Sequence, residues 1–152
     1  KHWPGSNGSY RWTNRPRIEQ EKAEYVPEAV AVLAEQRDSL TFAEYRSNRH
    51  ARDIVEREFE TAIEACFDVG TMLIRSNGGT VPETNAAIFR ELGRRDILEN
   101  DLARHMAEAA GFRNILAHRY GNEIDDEDVF NVLQNDLDVF YEFLQAVRKT
   151  LP

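Results

Sequence analysis

Arg113, Asn114, His118 and Tyr120 fall within one run of the chain, Gly111-Phe112-Arg113-Asn114-Ile115-Leu116-Ala117-His118-Arg119-Tyr120-Gly121. These residue types suit phosphodiester chemistry. An arginine presents two parallel N–H donors to a phosphate and stabilises the charge that builds on it. A histidine, with an ordinary pKa of about 6.5, takes a proton from a ribose 2′-OH or gives one to the leaving oxygen. An asparagine can orient either group. None of these steps requires a metal.

Other chemistries find less to work with. The histidines are His2, His50, His105 and His118, and no two stand at i, i+3 or i, i+4. There is no CxxC pair, so no metal site is expected. A nucleophile elbow, a dinucleotide-binding G-x-G-x-x-G and a Walker loop are all absent, and no cofactor is expected. Gly78-Gly79 follows a helical pattern and reads as a C-cap. Cys66 lies on an apolar stripe and reads as a buried small hydrophobe.

A helix must carry the polar run. At about 100° per residue, Phe112, Ile115 and Leu116 share one side. With Arg113 at zero, Tyr120 falls near −20°, Asn114 near 100° and His118 near 140°, each angle being about that value. The four polar residues are therefore expected to face solvent or another subunit, with Gly121 ending the helix. Unwinding of the last turn would bring His118 and Arg113 closer together.

The rest of the chain supplies the supports, and its periodicity is helical. Val26, Val30 and Leu33 begin one helix, with Pro27 tolerable near its start or as a kink. Thr41 and Glu44 have capping-box spacing for a short helix. Val55, Phe59, Ala62, Cys66, Val69 and Leu73 mark a long helix that ends at Asn77-Gly78-Gly79. Thr84 precedes a short helix with Ile88, Phe89 and Leu92, and Gly93 is expected to separate it from a helix over about 96–118. Phe130, Leu133, Leu137, Phe140, Leu144, Val147 and Leu151 predict one continuous last helix, capped by Asp125 or Asp126. Repeated 3-4 steps are the seams of helices packed nearly parallel or antiparallel. The expected fold is all-α: an antiparallel bundle of four long helices plus short ones.

The chain has 152 residues, enough for one domain, with a formal charge of −8. That charge excludes bulk coating of nucleic acid, so any RNA contact has to be local. Arg46, Arg49, His50 and Arg52, then Arg94, Arg95 and Arg104, and Arg119 in the motif, could line such a groove; a solvated helix start is the plainer reading of the first cluster. Residues 1–17 hold four basic residues and no acid, and their Gly, Ser, Asn and Pro content predicts an irregular basic tail before a helical domain at 18–152. Trp3, Tyr10 and Trp12 could stack on bases if that tail were a nucleic-acid arm. No run approaches the roughly 20 apolar residues of a membrane span, and no signal-type run opens the chain, so a cytoplasmic protein without membrane contact is expected.

Arg113 to Tyr120 resembles the R-x-x-x-x-H-x-Y signature of HepT-like toxins in the HEPN superfamily. The order of segments is similar too: a long helix "ARDIVEREFETAIEACFDVG", the motif "GFRNILAHRY", then the acidic "EIDDEDVFNVLQNDL". The resemblance covers roughly residues 20–150. It implies a helical homodimer with the two motifs together at the dimer cleft, acting as a metal-independent endoribonuclease. Such proteins are toxins of type II or, by modification, type VII toxin–antitoxin pairs. Arg113 and His118 would be catalytic, with Asn114 supporting. The partner would be an MntA-type minimal nucleotidyltransferase antitoxin, which transfers AMP from ATP to Tyr120. The alternatives are a non-catalytic HEPN-type module that scaffolds a nucleotidyltransferase, or a dimerisation domain whose motif makes interface hydrogen bonds.

Overall fold

The computed structural model describes residues 14–118 and 124–150, with side chains from Lys22 onward. Seven helices occupy these residues: α1 (Asn14–Ser39), α2 (Phe42–Ser47), α3 (Arg49–Ser76), α4 (Asn85–Arg94), α5 (Asn100–Ala117), α6 (Asp126–Asn135) and α7 (Asp138–Arg148). No strand occurs among the described residues. The all-α expectation holds.

The longest helices, α1 and α3, pack along each other. They run antiparallel, since Lys22 near the start of α1 meets Asp68 near the end of α3 at 3.5 Å. Turning the chain between them is the work of α2. The Thr41 hydroxyl accepts from Glu44 N–H at 3.2 Å, and the Glu44 carboxylate accepts from Thr41 N–H at 2.9 Å. This is the capping box that the spacing predicts. Asn48 then caps α3 through its side-chain oxygen, which accepts from Ala51 N–H at 3.0 Å.

The stripe on α3 is buried as expected: Val55, Phe59, Ala62, Cys66, Val69 and Leu73 are each no more than 2% exposed. Gly78, at φ +77°, ends the helix in a conformation that favours glycine. Across this stripe lie α4 and α5. Thr84 caps α4, accepting from Ala87 N–H at 3.2 Å.

The structure corrects four boundaries. Gly93 does not separate α4 from α5; it lies inside α4, buried, and a Cβ there would sit 2.8 Å from the Ala103 Cβ. Its smallness lets α4 and α5 approach closely, and the break falls after Arg94, with Arg95 as the C-cap. Helix α5 begins at Asn100, not near 96. Helix α1 begins at Asn14, so the end of the segment expected to be irregular is helical. Pro16 lies in its first turn, where no N–H is needed. Trp3, Tyr10 and Trp12 lie outside the described residues.

The fourth correction concerns the last helix, which is broken between α6 and α7. Asn135 turns its side-chain amide back to the Asn131 carbonyl at 2.9 Å, a local bond that competes with helix continuation. The chain tightens there into i→i−3 bonds, Val139 to Asp136 at 3.3 Å and Phe140 to Leu137 at 3.2 Å. Leu133, Leu137 and Phe140 stay buried on both sides of the break, so the apolar seam survives it.

Candidate active site

The motif occupies the last turns of α5, and the apolar residues beside it decide how it sits. Phe112 packs edge-on against Phe59 of α3, with ring centroids 5.4 Å apart at 86°. Leu116 is 1% exposed. Four residues apart on α5, these two lie on one side of the helix; Phe112 fastens it to α3, and Leu116 is buried in the core. On a helical wheel, Arg113 and Ile115 lie about 80° to either side of the Phe112–Leu116 line. The wheel alone does not say which flank is covered; the neighbouring helix does.

In the structure α3 covers the Arg113 flank. Ile115, expected on the apolar side, is 58% exposed. The Arg113 side chain, expected to face away, is only 24% exposed and turns toward α3. Its Nη2 donates to Glu64 Oε1 at 2.8 Å. Its Nε is buried and has no hydrogen-bond partner among the described residues. One outer nitrogen of the guanidinium is thus anchored, and the group as a whole is half-sheltered.

Asn114 is exposed, as the wheel predicts. Regular helix stops at Ala117, not at Gly121, and His118 is the C-cap at φ −117° and ψ 48°. Its N–H donates to the Asn114 carbonyl at 3.0 Å, while its ring is on the exposed side of the cap. His118 therefore follows Arg113 by about 7 Å along the axis. The two form a sheltered cation followed by an accessible imidazole. Tyr120 and Arg119 lie outside the described residues.

The arginines expected to meet RNA divide by their surroundings. Arg46 is exposed. The Arg49 side chain is 86% exposed and lies 3.8 Å from Asp53. Arg52 is tied into the fold: its Nε lies 3.9 Å from Asp126 Oδ2 of α6, and its guanidinium donates to the Arg46 carbonyl of α2. Arg94 and Arg95 both pair with Glu91, and Arg104 lies 3.7 Å from Asp101 and 3.5 Å from Glu108. Among the described residues, no three His, Cys, Asp or Glu side chains cluster so as to hold a metal.

Glu64 is the residue that the sequence did not single out. It is one of many acids on α3, 49 positions from Arg113, and only the tertiary contact distinguishes it. A cavity of about 560 Å³ opens at the α6–α7 break, with Phe59, Phe112 and Phe140 in its floor, but none of Arg113, Asn114 or His118 lines it. Asn114 and His118 are exposed outside it instead.

A sequence-family model described as Ribonuclease HepT-like matches residues 26–147. The chain belongs to the HepT-like family. This HepT-like chain is 26% identical over 114 residues to the tRNA nuclease HepT of Aphanizomenon flos-aquae, covering 75% of this chain and 77% of that protein. It is 33% identical over 93 residues to a candidate RNase of Archaeoglobus fulgidus, covering 60% of this chain and 67% of that one. Its fold is that of the Shewanella oneidensis HEPN toxin, solved tri-AMPylated and in complex with its MNT antitoxin. That match has a TM-score of 0.80 at 20% identity, over 87% of this chain and 97% of that one. The cytosolic protein YutE of Bacillus subtilis has the same architecture, with a TM-score of 0.75 at 16% identity over 89% of each chain. No helix among the described residues is long and apolar enough to cross a membrane.

Proposed function

We propose that this HepT-like chain is the toxin of a toxin–antitoxin pair and cleaves RNA without a metal, through Arg113 and His118, at a cleft shared by two copies of the chain. One observation supports the reading above the others: Arg113 is held against α3 while His118 stands accessible just past the helix end. In the reaction the ribose 2′-oxygen attacks the adjacent phosphorus and the 5′-oxygen leaves. His118 takes the 2′-OH proton, and a second imidazole, that of the other copy's motif, protonates the departing oxygen. Arg113 faces the charge on the phosphoryl oxygens. Asn114, exposed beside them, orients substrate or imidazole.

Arg46 and Arg49 supply cationic contacts for the RNA backbone, with Arg119 inside the motif; Arg52 stands with them but also braces the fold. tRNA is the first substrate to test, because the Aphanizomenon relative is named a tRNA nuclease. The partner is a nucleotidyltransferase antitoxin, consistent with the AMPylated, antitoxin-bound state of the Shewanella protein. It moves AMP from ATP to the Tyr120 hydroxyl, with pyrophosphate leaving. The added phosphate and adenosine then obstruct the motif by bulk and by charge.

The test is cleavage of tRNA by the purified protein, compared with Arg113→Ala and His118→Ala. Cleavage by the wild type that each substitution reduces by about 100-fold or more supports the reading. A wild-type protein that binds a nucleotidyltransferase but cleaves no RNA is a scaffold, and the nuclease reading then fails.

A further inference from the structure

We propose that Glu64 is a positioning residue for Arg113, and that its carboxylate on α3 fixes the guanidinium in the orientation that meets the scissile phosphate. The inference rests on the nuclease reading above. The contact joins α3 to the motif turn of α5 at 2.8 Å. It is not what holds those helices together: Phe112 already packs on Phe59 there, and Leu116 is buried in the same core. A pair with one side chain 24% and the other 56% exposed adds little to stability. Its effect is on geometry. An unanchored arginine samples many rotamers, and that freedom has to be lost when substrate arrives. Glu64 removes it on folding.

The stoichiometry of the contact fits a positioning role. A guanidinium carries five N–H donors. Glu64 is bonded to it through one oxygen on Nη2, and among the described residues the buried Nε has no acceptor. A carboxylate meant to neutralise Arg113 would engage it through both oxygens in the parallel arrangement that arginine favours. A single-oxygen anchor on Nη2 holds the plane of the group and, among the described residues, leaves Nη1 for a phosphate.

The test uses the full chain and single-turnover RNA cleavage with enzyme in excess. Glu64→Ala is expected to slow cleavage by about 10-fold or more with little change in RNA affinity. Glu64→Gln, which keeps an acceptor oxygen at the same reach, is expected to stay within about 3-fold of wild type. In an Arg113→Ala background, Glu64→Ala is expected to cost nothing further, because the residue acts through Arg113. If Glu64→Ala fails to fold by circular dichroism, Glu64→Asp, which withdraws the carboxylate by one methylene, takes its place with the same expectation. Cleavage unchanged or faster in Glu64→Ala overturns the proposal, as does an equal further loss when Arg113 is already absent. In either case the wild type still cleaves, so the nuclease reading stands; a wild type that cleaves nothing overturns both.

Discussion

The ring of Phe112 meets the ring of Phe59 edge-on, at 5.4 Å and 86°, one residue before the arginine of the motif. Phe59 is 1% exposed in the middle of α3, whereas Phe112 is half-buried. The contact is thus the point at which the core of the bundle sets the height and rotation of the motif turn. Phe59→Ala is expected to lower unfolding free energy by about 3–5 kcal/mol, read by urea denaturation. Phe112→Ala is expected to cost less stability. It should nonetheless slow cleavage, because the turn carrying Arg113 loses its anchor. A Phe112→Ala protein with unchanged cleavage would show that α5 is placed by other contacts.

Arg49 and Arg52 test whether the two halves of one basic cluster have separate work. Arg52 bridges α2, α3 and α6 through the Arg46 carbonyl and Asp126, so Arg52→Ala is expected to lose about 1 kcal/mol of stability. Arg49 is solvated, so Arg49→Ala should leave stability unchanged while weakening RNA binding and flattening its salt dependence. Denaturation and a salt titration of RNA affinity measure both.

Tyr120 is the residue on which the regulatory part of the proposal turns. Incubation with the nucleotidyltransferase partner and ATP is expected to add one or more AMP units by intact mass and to abolish cleavage. Tyr120→Phe should take up no AMP and should escape neutralisation. A mass shift that leaves cleavage untouched would remove the switch from the account.

Cys66 and Tyr45 give the fold a pH dependence at the alkaline end. Burial raises the thiol pKa of Cys66 above its ordinary 9.0. Burial, reinforced by Glu56 and Asp126, raises the phenol pKa of Tyr45 above its ordinary 10.0. Above those ordinary values the unfolded chain releases protons that the folded chain retains. Fewer protons on the unfolded state means that stability falls as pH rises. Each group contributes up to about 1.4 kcal/mol per pH unit. Cys66→Ala is expected to flatten the first part of the fall, read as urea midpoints at about pH 8 and about pH 10. The native thiol should also resist labelling reagents until the protein unfolds.

Periodicity made the helical bundle legible, because apolar steps of three and four report burial directly. The stripe through Val55, Phe59, Cys66 and Leu73 is buried as written, and Thr41, Thr84 and Asp125 cap the helices they precede. Breaks were harder to see. The seam from Leu133 to Phe140 continues across Asp136 because tertiary burial preserves the stripe while local side-chain bonds interrupt the helix. The motif residues could be identified by type and order, but not their flanks. Arg113 and Ile115 are symmetric about the Phe112–Leu116 seam, and only the position of α3 makes one sheltered and the other exposed. Glu64 needed the same long-range information.

The chemistry of the cut ends is the most direct test of the central claim. RNA cleaved by the wild-type protein in excess EDTA is predicted to carry 2′,3′-cyclic phosphate at one new end and 5′-hydroxyl at the other, with neither product formed by His118→Ala. Cleavage that disappears with EDTA, or that leaves 3′-hydroxyl and 5′-phosphate ends, would contradict a mechanism built on Arg113, His118 and the ribose hydroxyl.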